Sequence, residues 1–271
     1  MSDAWTLSDT TALVTGGTQG IGRAIVEELL DLGASVLVAA RTASDVEAQT
    51  SMWTAEGYDA RGVAADVATP EGRAAVLDAV QAEFGGRLDT LVNNVGTNLR
   101  KPTLAYTLDD LRHLMAVNLE SAYELTRACY PLLKAASGSV VNVSSVVGRR
   151  GIPGQAGYSA SKAAVSSIGE ALRVEWADKG IAVTTLEPAL TATGFFQAQE
   201  NPRGLPDPDM GNAVAADDVA REVLELDRAP RPLRSLRWKW RILGALSVVA
   251  PRLADRALVG RLGGDWRAPE R

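Results

Sequence analysis

The chain has 271 residues, and its 46% hydrophobic content is enough for one large core. It holds one cysteine and one histidine, which excludes an intrachain disulfide and leaves almost no material for zinc ligation or for Ser-His or Cys-His catalysis. The formal net charge is -5, but residues 228–271 carry 11 Lys and Arg against 3 Asp and Glu, a balance of +8 that leaves -13 for residues 1–227. This asymmetry argues against nucleic acid as a partner of the main body and sets the C-terminal region apart.

The segments that mark export or membrane insertion are not evident in the sequence. Residues 1–11 lack the basic and apolar blocks of a signal peptide, and no apolar run approaches the roughly 20 residues of a membrane span. We therefore expect a cytoplasmic protein. Cys129 lies among core-like helix residues and is interpreted as buried filler rather than a nucleophile, and His113 as a solvated or capping residue.

Apolar runs and helical patterns alternate along the chain. The apolar runs predict strands at residues 11–15, 35–40, 60–65, 88–93, 139–144 and 181–186. Helical spacing predicts helices over residues 21–32, 44–56, 69 onward, 107–134, 158–179 and 217–228. Three of them start at expected N-caps: Ser44 with Glu47, Thr69 with Pro70, and Thr107 with Asp110. This alternation predicts a single α/β domain over residues 1–228, a Rossmann-type doubly wound parallel sheet with helices on both faces.

A glycine-rich turn follows the first predicted strand. Gly16, Gly20 and Gly22 stand there, with one residue more between the first two glycines than in the usual dinucleotide fingerprint. Such a turn lets backbone approach a pyrophosphate, and the following helix offers its positive N-terminus. Tight packing alone is the competing explanation, but the position directly after strand one favours a dinucleotide site.

The second predicted strand ends at Arg41, where an acidic residue would hold the ribose 2′-hydroxyl of NAD. A guanidinium suits a 2′-phosphate instead. The sequence therefore favours NADP(H) over NAD(H), with a solvent-exposed loop arginine as the alternative explanation.

Tyr158 and Lys162 are four residues apart on a predicted helix, and this spacing places them on one face, with Cβ atoms roughly 5–6 Å apart. A nearby cation stabilises a phenolate, so we expect Lys162 to lower the pKa of Tyr158. Ser145 leaves the end of strand five, where its hydroxyl can donate to an oxygen beside the phenol. This set predicts proton chemistry on a carbonyl or alcohol; a buried ring with a snorkelling lysine is the alternative.

These motifs together resemble the short-chain dehydrogenase/reductase family. The order and approximate spacing of eight elements match across residues 11–195, including the thirteen-residue interval from Ser145 to Tyr158. Residues 16–32 and 91–103 are most similar to tropinone-reductase-like enzymes. The matching elements are Thr15-Gly16-x-x-x-Gly20-Ile21-Gly22, Asp66, Asn93-Asn94-x-Gly96, Asn118, Ser145, Tyr158-x-x-x-Lys162, Pro188 and Thr193.

The resemblance implies four catalytic residues: Asn118, Ser145, Tyr158 and Lys162. It makes Tyr158 the general acid in reduction and the base in oxidation. Lys162 would lower the pKa of Tyr158 and hold the nicotinamide ribose, and Ser145 would orient the substrate oxygen. Asn118 would anchor a water that relays protons from Lys162 to solvent.

The resemblance also implies cofactor contacts. Asp66 would bind the adenine amino group, Val67 would contribute its backbone, Asn94 and Gly96 would line the floor, and Thr193 would contact the carboxamide. No metal is expected. The predicted cofactor-binding set is Gly16, Thr18, Gln19, Gly20, Ile21, Gly22, Arg41, Thr42, Asp66, Val67, Asn94, Gly96, Tyr158, Lys162, Pro188 and Thr193.

Three positions depart from the family pattern. Val95 stands where alanine is usual, and Ala189 replaces the glycine after Pro188. Gln19 occupies a site where NADP-preferring relatives often have a basic residue, so Arg41 carries the cofactor preference almost alone.

The C-terminal third departs further. Phe195, Phe196 and the proline-rich residues 201–208 predict a mobile segment over the substrate site. Beyond it, residues 229–271 form a basic and apolar extension without the closing strand that tropinone-reductase-like relatives have. The apolar run 242–250 and a second helical candidate, residues 252–262, suit a lid, a dimer contact or an element at an anionic membrane surface.

We expect NADPH-dependent reduction of a ketone or aldehyde, reversible as secondary-alcohol oxidation. The alternatives are an NAD-linked alcohol dehydrogenase and a dinucleotide-sensing protein without turnover, against which the complete catalytic set argues. The partners expected are a small hydrophobic carbonyl or alcohol and a second copy of the chain, in a homodimer or homotetramer. Predicted pocket walls are Thr97, Val147, Pro153, Gln155, Phe195 and Phe196, an apolar and partly aromatic set.

Overall fold

A computed structural model describes residues 5–202, 204 and 210–262, and its centre is a seven-stranded sheet. All the strand pairs are parallel, in the order β3-β2-β1-β4-β5-β6-β7. The strands are β1 (Thr11–Thr15), β2 (Ser35–Ala40), β3 (Ala60–Ala64), β4 (Thr90–Asn93), β5 (Ser139–Val143), β6 (Ala182–Glu187) and β7 (Leu233–Ser235).

Helices connect the strands and cover both faces of the sheet. They are α1 (Gly20–Asp31), α2 (Ala43–Ala55), α3 (Pro70–Phe84), α4 (Leu108–Met115), α5 (Ser121–Ala136), α6 (Ala156–Glu175), α7 (Phe195–Ala198), α8 (Ala216–Arg228), α9 (Trp238–Val249) and α10 (Pro251–Leu262). Short 3-10 turns lie at Thr103–Ala105, Val146–Arg149, Ala177–Lys179 and Met210–Asn212. The predicted doubly wound sheet is confirmed.

The order of the strands determines where a ligand site can form. The chain moves outward from β1 to β3 and then returns to the other side of β1 at β4. Loops leaving the carboxyl ends of β1 and β4 therefore diverge and open a crevice between them. The glycine turn follows β1, and residues 94–98 follow β4, so both lie at this crevice.

Two hydrophobic layers sandwich the sheet. One layer packs α1, α2 and α8 on one face through residues such as Ile25, Trp53 and Val223. The other packs α3 and α5 on the opposite face, where Val80 and Cys129 lie. Cys129 is fully buried, and burial raises the pKa of its thiol to about 12, in agreement with its interpretation as filler. His113 is exposed on α4, as expected.

Two of the three expected helix caps are present. The Thr69 hydroxyl accepts from the Gly72 amide at 3.0 Å, with Pro70 at the first helical position. Thr107 and Asp110 form a reciprocal capping box at the start of α4. The predicted capping box of Ser44 with Glu47 is wrong. Helix α2 begins at Ala43 after Thr42, which places Ser44 inside the first turn, where its hydroxyl no longer faces the free amides.

The helix expected over residues 107–134 is interrupted. A π turn at Ala116–Glu120 separates α4 from α5. The Ser121 hydroxyl donates to the Val117 carbonyl at 2.6 Å there, and Asn118 makes tertiary hydrogen bonds from the same turn. Insertions of this kind redirect one side chain without ending a helix. Apolar periodicity does not reveal them because the helical pattern resumes on the far side.

The expectation that the closing strand is absent is wrong. Residues Leu233–Ser235 form β7, which pairs in parallel with β6. The strand is only three residues long and contains Arg234, so no apolar run marked it. Arg234 donates through Nε and Nη2 to the Glu222 carboxylate of α8 at 2.7 and 2.8 Å, which fixes the strand to its crossover helix.

Within the described residues, no helix is both long enough and apolar enough to cross a membrane.

Replacing Leu13 by alanine should lower the free energy of unfolding by about 2–5 kcal/mol, because its side chain is fully buried in β1 and a cavity would remain. Leu108→Ala is the matched control, since Leu108 is 69% exposed and its loss should cost less than about 0.5 kcal/mol. Urea unfolding measures both variants. Equal losses of unfolding free energy in the two variants would contradict the burial of Leu13.

Candidate active site

The glycine turn closes tightly on itself before α1 begins. A Cβ atom on Gly22 would lie 2.1 Å from the Gly16 carbonyl oxygen, so only glycine fits there. Gly16 has a φ of +68°, a left-handed conformation that glycine adopts without strain. Gln19, the N-cap of α1, makes no side-chain capping bond, and the first turn of the helix has no acidic residue. The amides at this end are therefore available to an anionic ligand.

Asn94 fastens the glycine turn to the end of β4. Its side-chain nitrogen donates to the carbonyls of Thr15 at 3.0 Å and Gly16 at 3.2 Å, and its backbone amide donates to the Thr15 hydroxyl at 3.0 Å. Val95 packs on the same turn, where a Cβ on Gly16 would lie 3.2 Å from Val95 Cγ2. The two strand ends at the crevice thus form one rigid surface.

The predicted adenosine contacts lie along the neighbouring strand ends. Arg41 and Thr42 follow β2 and are exposed. Asp66 follows β3, where its carboxylate accepts from the Ala68 amide at 3.0 Å, and Val67 is buried beside it. The Asp66 carboxylate thus closes the turn after β3.

The remaining cofactor candidates surround the glycine turn. Thr193 lies against it, since a Cβ on Gly20 would be 3.3 Å from Thr193 Cβ. The Pro188 carbonyl accepts from the Val146 amide at 3.1 Å and so joins the end of β6 to the segment after Ser145. Ala189, at the departure from the family pattern, accepts from the Thr191 hydroxyl at 2.9 Å.

Ser145, Tyr158 and Lys162 come together at the carboxyl end of β5. Ser145 caps the 3-10 turn Val146–Arg149, and Tyr158 and Lys162 occupy successive turns of α6. The Lys162 ammonium is buried, lies 6.0 Å from the centre of the Tyr158 ring and donates to the Val143 carbonyl at 2.8 Å. The predicted serine, tyrosine and lysine therefore share one small site.

The pKa of Tyr158 differs from the expectation. Burial raises it to about 12, and a hydrogen bond with the Ser145 hydroxyl offsets part of this rise. The expected net lowering is wrong, because burial outweighs the effect of the Lys162 ammonium, whose hydrogen bond goes to the Val143 carbonyl. Burial also lowers the pKa of Lys162 to about 8.

Asn118 uses its side chain to hold the loop after β4. Its carbonyl oxygen accepts from the Thr97 amide at 2.7 Å, and its amide nitrogen donates to the Thr97 carbonyl at 2.9 Å and the Ser161 hydroxyl at 2.8 Å. Gly96 is close by, since a Cβ there would lie 3.3 Å from Lys162 Nζ. Asn118 thus positions the backbone beside the lysine.

Aromatic rings cover the phenol. The Phe195 ring of α7 is 5.9 Å from the Tyr158 ring, and Phe196 stands edge-on to Phe195 at 5.6 Å. Of the predicted wall residues, Phe195 therefore lies over the site, and Phe196 packs behind it. Val147 lies beside Ser145, since its amide donates to the Ser145 hydroxyl at 3.4 Å.

Hydrogen bonds among Asn98, Gln155 and Gln199, a group called the latch below, hold this cover, and only Gln155 was predicted from the sequence. Asn98 is 3% exposed and donates through Nδ2 to the side-chain oxygens of Gln155 at 3.0 Å and Gln199 at 2.7 Å. The Arg100 amide donates to the Glu200 carbonyl at 2.8 Å. Asn98 and Gln199 were missed because no spacing relates two polar residues about a hundred positions apart.

The predicted cover over residues 195–208 is partly described. Within it, Gln199 and Glu200 contact the loop that follows β4. Residues 203 and 205–208 of the proline-rich stretch lie outside the described residues. Pro153, a further predicted wall residue, is half-buried between the 3-10 turn and α6.

The donor set of the site suits a dinucleotide. Free helix amides at α1, a glycine turn without side chains and an exposed guanidinium at the end of β2 match two phosphates and a further anionic group. In the part of the chain that the structure describes, no group of three His, Cys, Asp or Glu side chains is arranged to hold a metal ion.

Comparisons with known proteins place this chain among relatives. A sequence model of the short chain dehydrogenase family matches residues 10–204. A tropinone reductase homolog of Arabidopsis thaliana is 43% identical over 190 residues, which cover 70% of each chain. Senescence-associated protein 13 of the same plant is 37% identical over 221 residues, 80% of this chain and 82% of that protein.

A solved structure extends the likeness beyond the matched region. A short-chain dehydrogenase/reductase of unknown function from Caenorhabditis elegans, crystallised with cofactor, superposes with a TM-score of 0.75 at 25% identity and covers 92% of this chain and 98% of its own. The fold, the glycine turn and the extended sequence match lead to one conclusion: this chain belongs to the short-chain dehydrogenase/reductase family, NAD(P)-dependent oxidoreductases that act on CH-OH and C=O groups.

Proposed function

We propose that this protein is an NADPH-dependent carbonyl reductase, reversible as a secondary-alcohol dehydrogenase. The observation that carries the proposal is the group of Ser145, Tyr158 and Lys162 at the end of β5, beside the glycine turn. A nicotinamide dinucleotide bound along this crevice supplies the hydride to a carbonyl carbon or accepts it from an alcohol.

The proton comes from Tyr158 in the proposed reduction. A phenol is protonated at neutral pH, which is the form that a general acid needs. Burial raises the pKa of Tyr158 and makes it a weaker proton donor unless a nearby charge stabilises the phenolate. Ser145 orients the substrate oxygen through its hydroxyl. The buried Lys162 ammonium stabilises the phenolate that forms when the proton leaves, and Asn118 holds the loop that passes beside this lysine.

The preference for NADPH rests on Arg41. The structure describes no ion pair or hydrogen bond of its side chain, which is exposed where a ribose 2′-phosphate would lie. Gln19 adds no charge at the glycine turn. An NAD-linked alcohol dehydrogenase with the same catalytic residues is the alternative.

The cover over the site suggests a hydrophobic, alicyclic ketone as substrate. Phe195 and Phe196 present aromatic surface above Tyr158. The names of several relatives, tropinone reductase homologs, agree with a cyclic ketone. A dinucleotide sensor without turnover is the less favoured alternative, since it has no need for a complete serine, tyrosine and lysine group.

We further propose a cytoplasmic homodimer or homotetramer. Tyr123 on α5 is 41% exposed and lines a shallow depression with Leu119, Ile168 and Leu172 between α5 and α6. An exposed aromatic side chain beside apolar neighbours suits contact with a second copy.

Replacing Tyr158 by phenylalanine should lower kcat by about 100- to 10,000-fold, because the proton donor is lost while the ring packing remains. NADPH absorbance followed with a panel of cyclic ketones measures turnover, and fluorescence titration measures NADPH binding, which should stay within a few-fold of the wild type. Tyr130→Phe is the control, since its ring packs on Trp176 away from the site. Retained turnover in the Tyr158 variant would refute the proposed acid.

Replacing Arg41 by glutamate should shift the ratio of kcat/KM for NADPH over NADH towards NADH by about 10- to 100-fold, because a charge-assisted contact is replaced by repulsion. Arg112→Glu is the matched control, since Arg112 is 74% exposed on α4. An unchanged ratio in the Arg41 variant would refute the role proposed for Arg41.

The buried Lys162 predicts a pH-dependent stability. Its pKa falls from its ordinary value of 10.5 to about 8 on folding, so between these values the unfolded chain binds the extra proton and stability rises with pH. Lys162→Met removes this dependence. The variant should be more stable than the wild type below pH 8, by an amount on the order of 1–3 kcal/mol, and the gap should shrink as pH rises towards 10.

Urea unfolding of the cofactor-free protein at several pH values measures this gap. Tyr158 and Cys129 have raised pKa values in both proteins, so their titration cancels in the comparison. Lys179→Met serves as the control, because Lys179 is exposed, pairs with Asp178 and has a raised pKa. A constant gap between Lys162→Met and the wild type would show that the ammonium is not desolvated.

A further inference from the structure

The helices α9 and α10 form a hairpin whose outer face carries apolar side chains in solvent. Val248 and Val249 are 85% and 82% exposed at the end of α9. Leu253 follows at the start of α10 and is 54% exposed. Ile242, two helical turns before Val249 on the same face, is 54% exposed. A soluble surface rarely groups valine and leucine side chains in this way without a partner.

The opposite face of the hairpin is already packed on the protein. Leu243 on α9, and Ala254 and Leu258 on α10, are 5%, 0% and 4% exposed. A Cβ on Gly244 would lie 3.1 Å from Arg149 Cβ, so α9 rests directly on the turn after Ser145. Because the inner face of the hairpin is already packed, a small rotation of the hairpin would not bury its apolar outer face in the same domain.

Basic residues surround this apolar face. Residues 229–262 contain eight Lys and Arg and one acidic residue, Asp255, which pairs with Arg150. Arg252 and Arg256 are exposed on α10 and share one face with the exposed Val259, and Arg241 is exposed on α9. Residues 1–227 carry a balance of -13. The cations are thus concentrated where the apolar side chains are exposed.

We propose that the α9–α10 hairpin docks the enzyme on the surface of an anionic lipid bilayer. Val248, Val249 and Leu253 enter the acyl boundary, and the arginines contact lipid phosphates and carboxylates. Two helices of 12 residues each are too short to span a bilayer but suit a position in its interface. The anionic surface repels residues 1–227, which carry a net negative charge. This repulsion orients the protein with the hairpin towards the bilayer.

The hairpin is tied to the active site. Arg150 donates to the Ser247 hydroxyl of α9 at 2.9 Å and pairs with Asp255 of α10. Arg149 donates to the fully buried Glu187 carboxylate at 2.7 Å, at the end of β6. Docking therefore holds the segment after Ser145 close to the bilayer, where a hydrophobic substrate would be dissolved.

Flotation of the purified full chain with lipid vesicles tests the proposal. We expect the wild type to float with phosphatidylcholine vesicles that contain phosphatidylserine at low salt, and to float less at high salt or with phosphatidylcholine alone. Arg252→Glu with Arg256→Glu should lower the partition coefficient by at least about 30-fold. Val248→Asp with Val249→Asp should lower it by at least about tenfold.

Matched controls separate docking from general changes in charge and solubility. Leu108→Asp alters a 69% exposed leucine, and Arg112→Glu a 74% exposed arginine, both on α4. Both should float like the wild type. Cooperative thermal unfolding and NADPH binding in solution show that every variant is folded, so that lost flotation reports the surface alone. These readouts do not depend on which carbonyl the enzyme reduces.

Two results would overturn the proposal. One is a wild type that remains unbound to anionic vesicles at low salt. The other is binding that the hairpin variants leave unchanged. If, in addition, Val248→Asp with Val249→Asp dissociates a dimer in light scattering, the face is instead a contact between two copies of the chain.

Discussion

The hydrogen bond from the Lys162 ammonium to the Val143 carbonyl, 2.8 Å long, is the contact on which the site depends. It joins α6 to the end of β5 and places a cation in a region from which water is excluded. The Ser144 hydroxyl donates to the Lys162 carbonyl at 2.8 Å and secures the same junction. Because these contacts join the two elements, Tyr158 and Ser145 lie together beside the lysine.

That arrangement is electrostatically unfavourable, because it buries two ionisable side chains. Burial lowers the pKa of the Lys162 ammonium and raises the pKa of the neighbouring Tyr158 phenol, because both charged forms lose water. Both shifts show that burial disfavours charge at this site. The Phe195 ring packs 5.9 Å from the Tyr158 ring and adds to the burial of the phenol. In the proposed reaction, the Phe195 ring therefore acts together with the Tyr158 acid that it covers.

The C-terminal region has two functions in this fold. β7 completes the sheet and binds α8 through Arg234. The hairpin that follows packs one face on Arg149 and Arg150 and leaves the other, basic and apolar, in solvent. The proposed attachment to a bilayer thus reaches the catalytic segment through two consecutive arginines.

Much of the protein was predictable from local patterns. Alternating apolar runs and helical periodicity gave the parallel sheet, since buried strands and amphipathic helices are each encoded over a few consecutive residues. The glycine turn and the spacing of Ser145, Tyr158 and Lys162 identified the site for the same reason. The short strand β7 was not predicted, because three residues with a central arginine carry no apolar signal. The π turn at Asn118 was not predicted, because the helical pattern resumes after it.

The tertiary structure alone decided what depends on distant residues. The raised pKa of Tyr158 follows from burial, and the Lys162 ammonium donates to the Val143 carbonyl; the spacing of the two residues specifies neither. The latch between Asn98 and Gln199 joins positions about a hundred residues apart. Which face of the α9–α10 hairpin meets solvent was likewise settled by packing on Arg149. Sequence determines local conformation and the order of chemical groups; their charge states and partners depend on what the fold places around them.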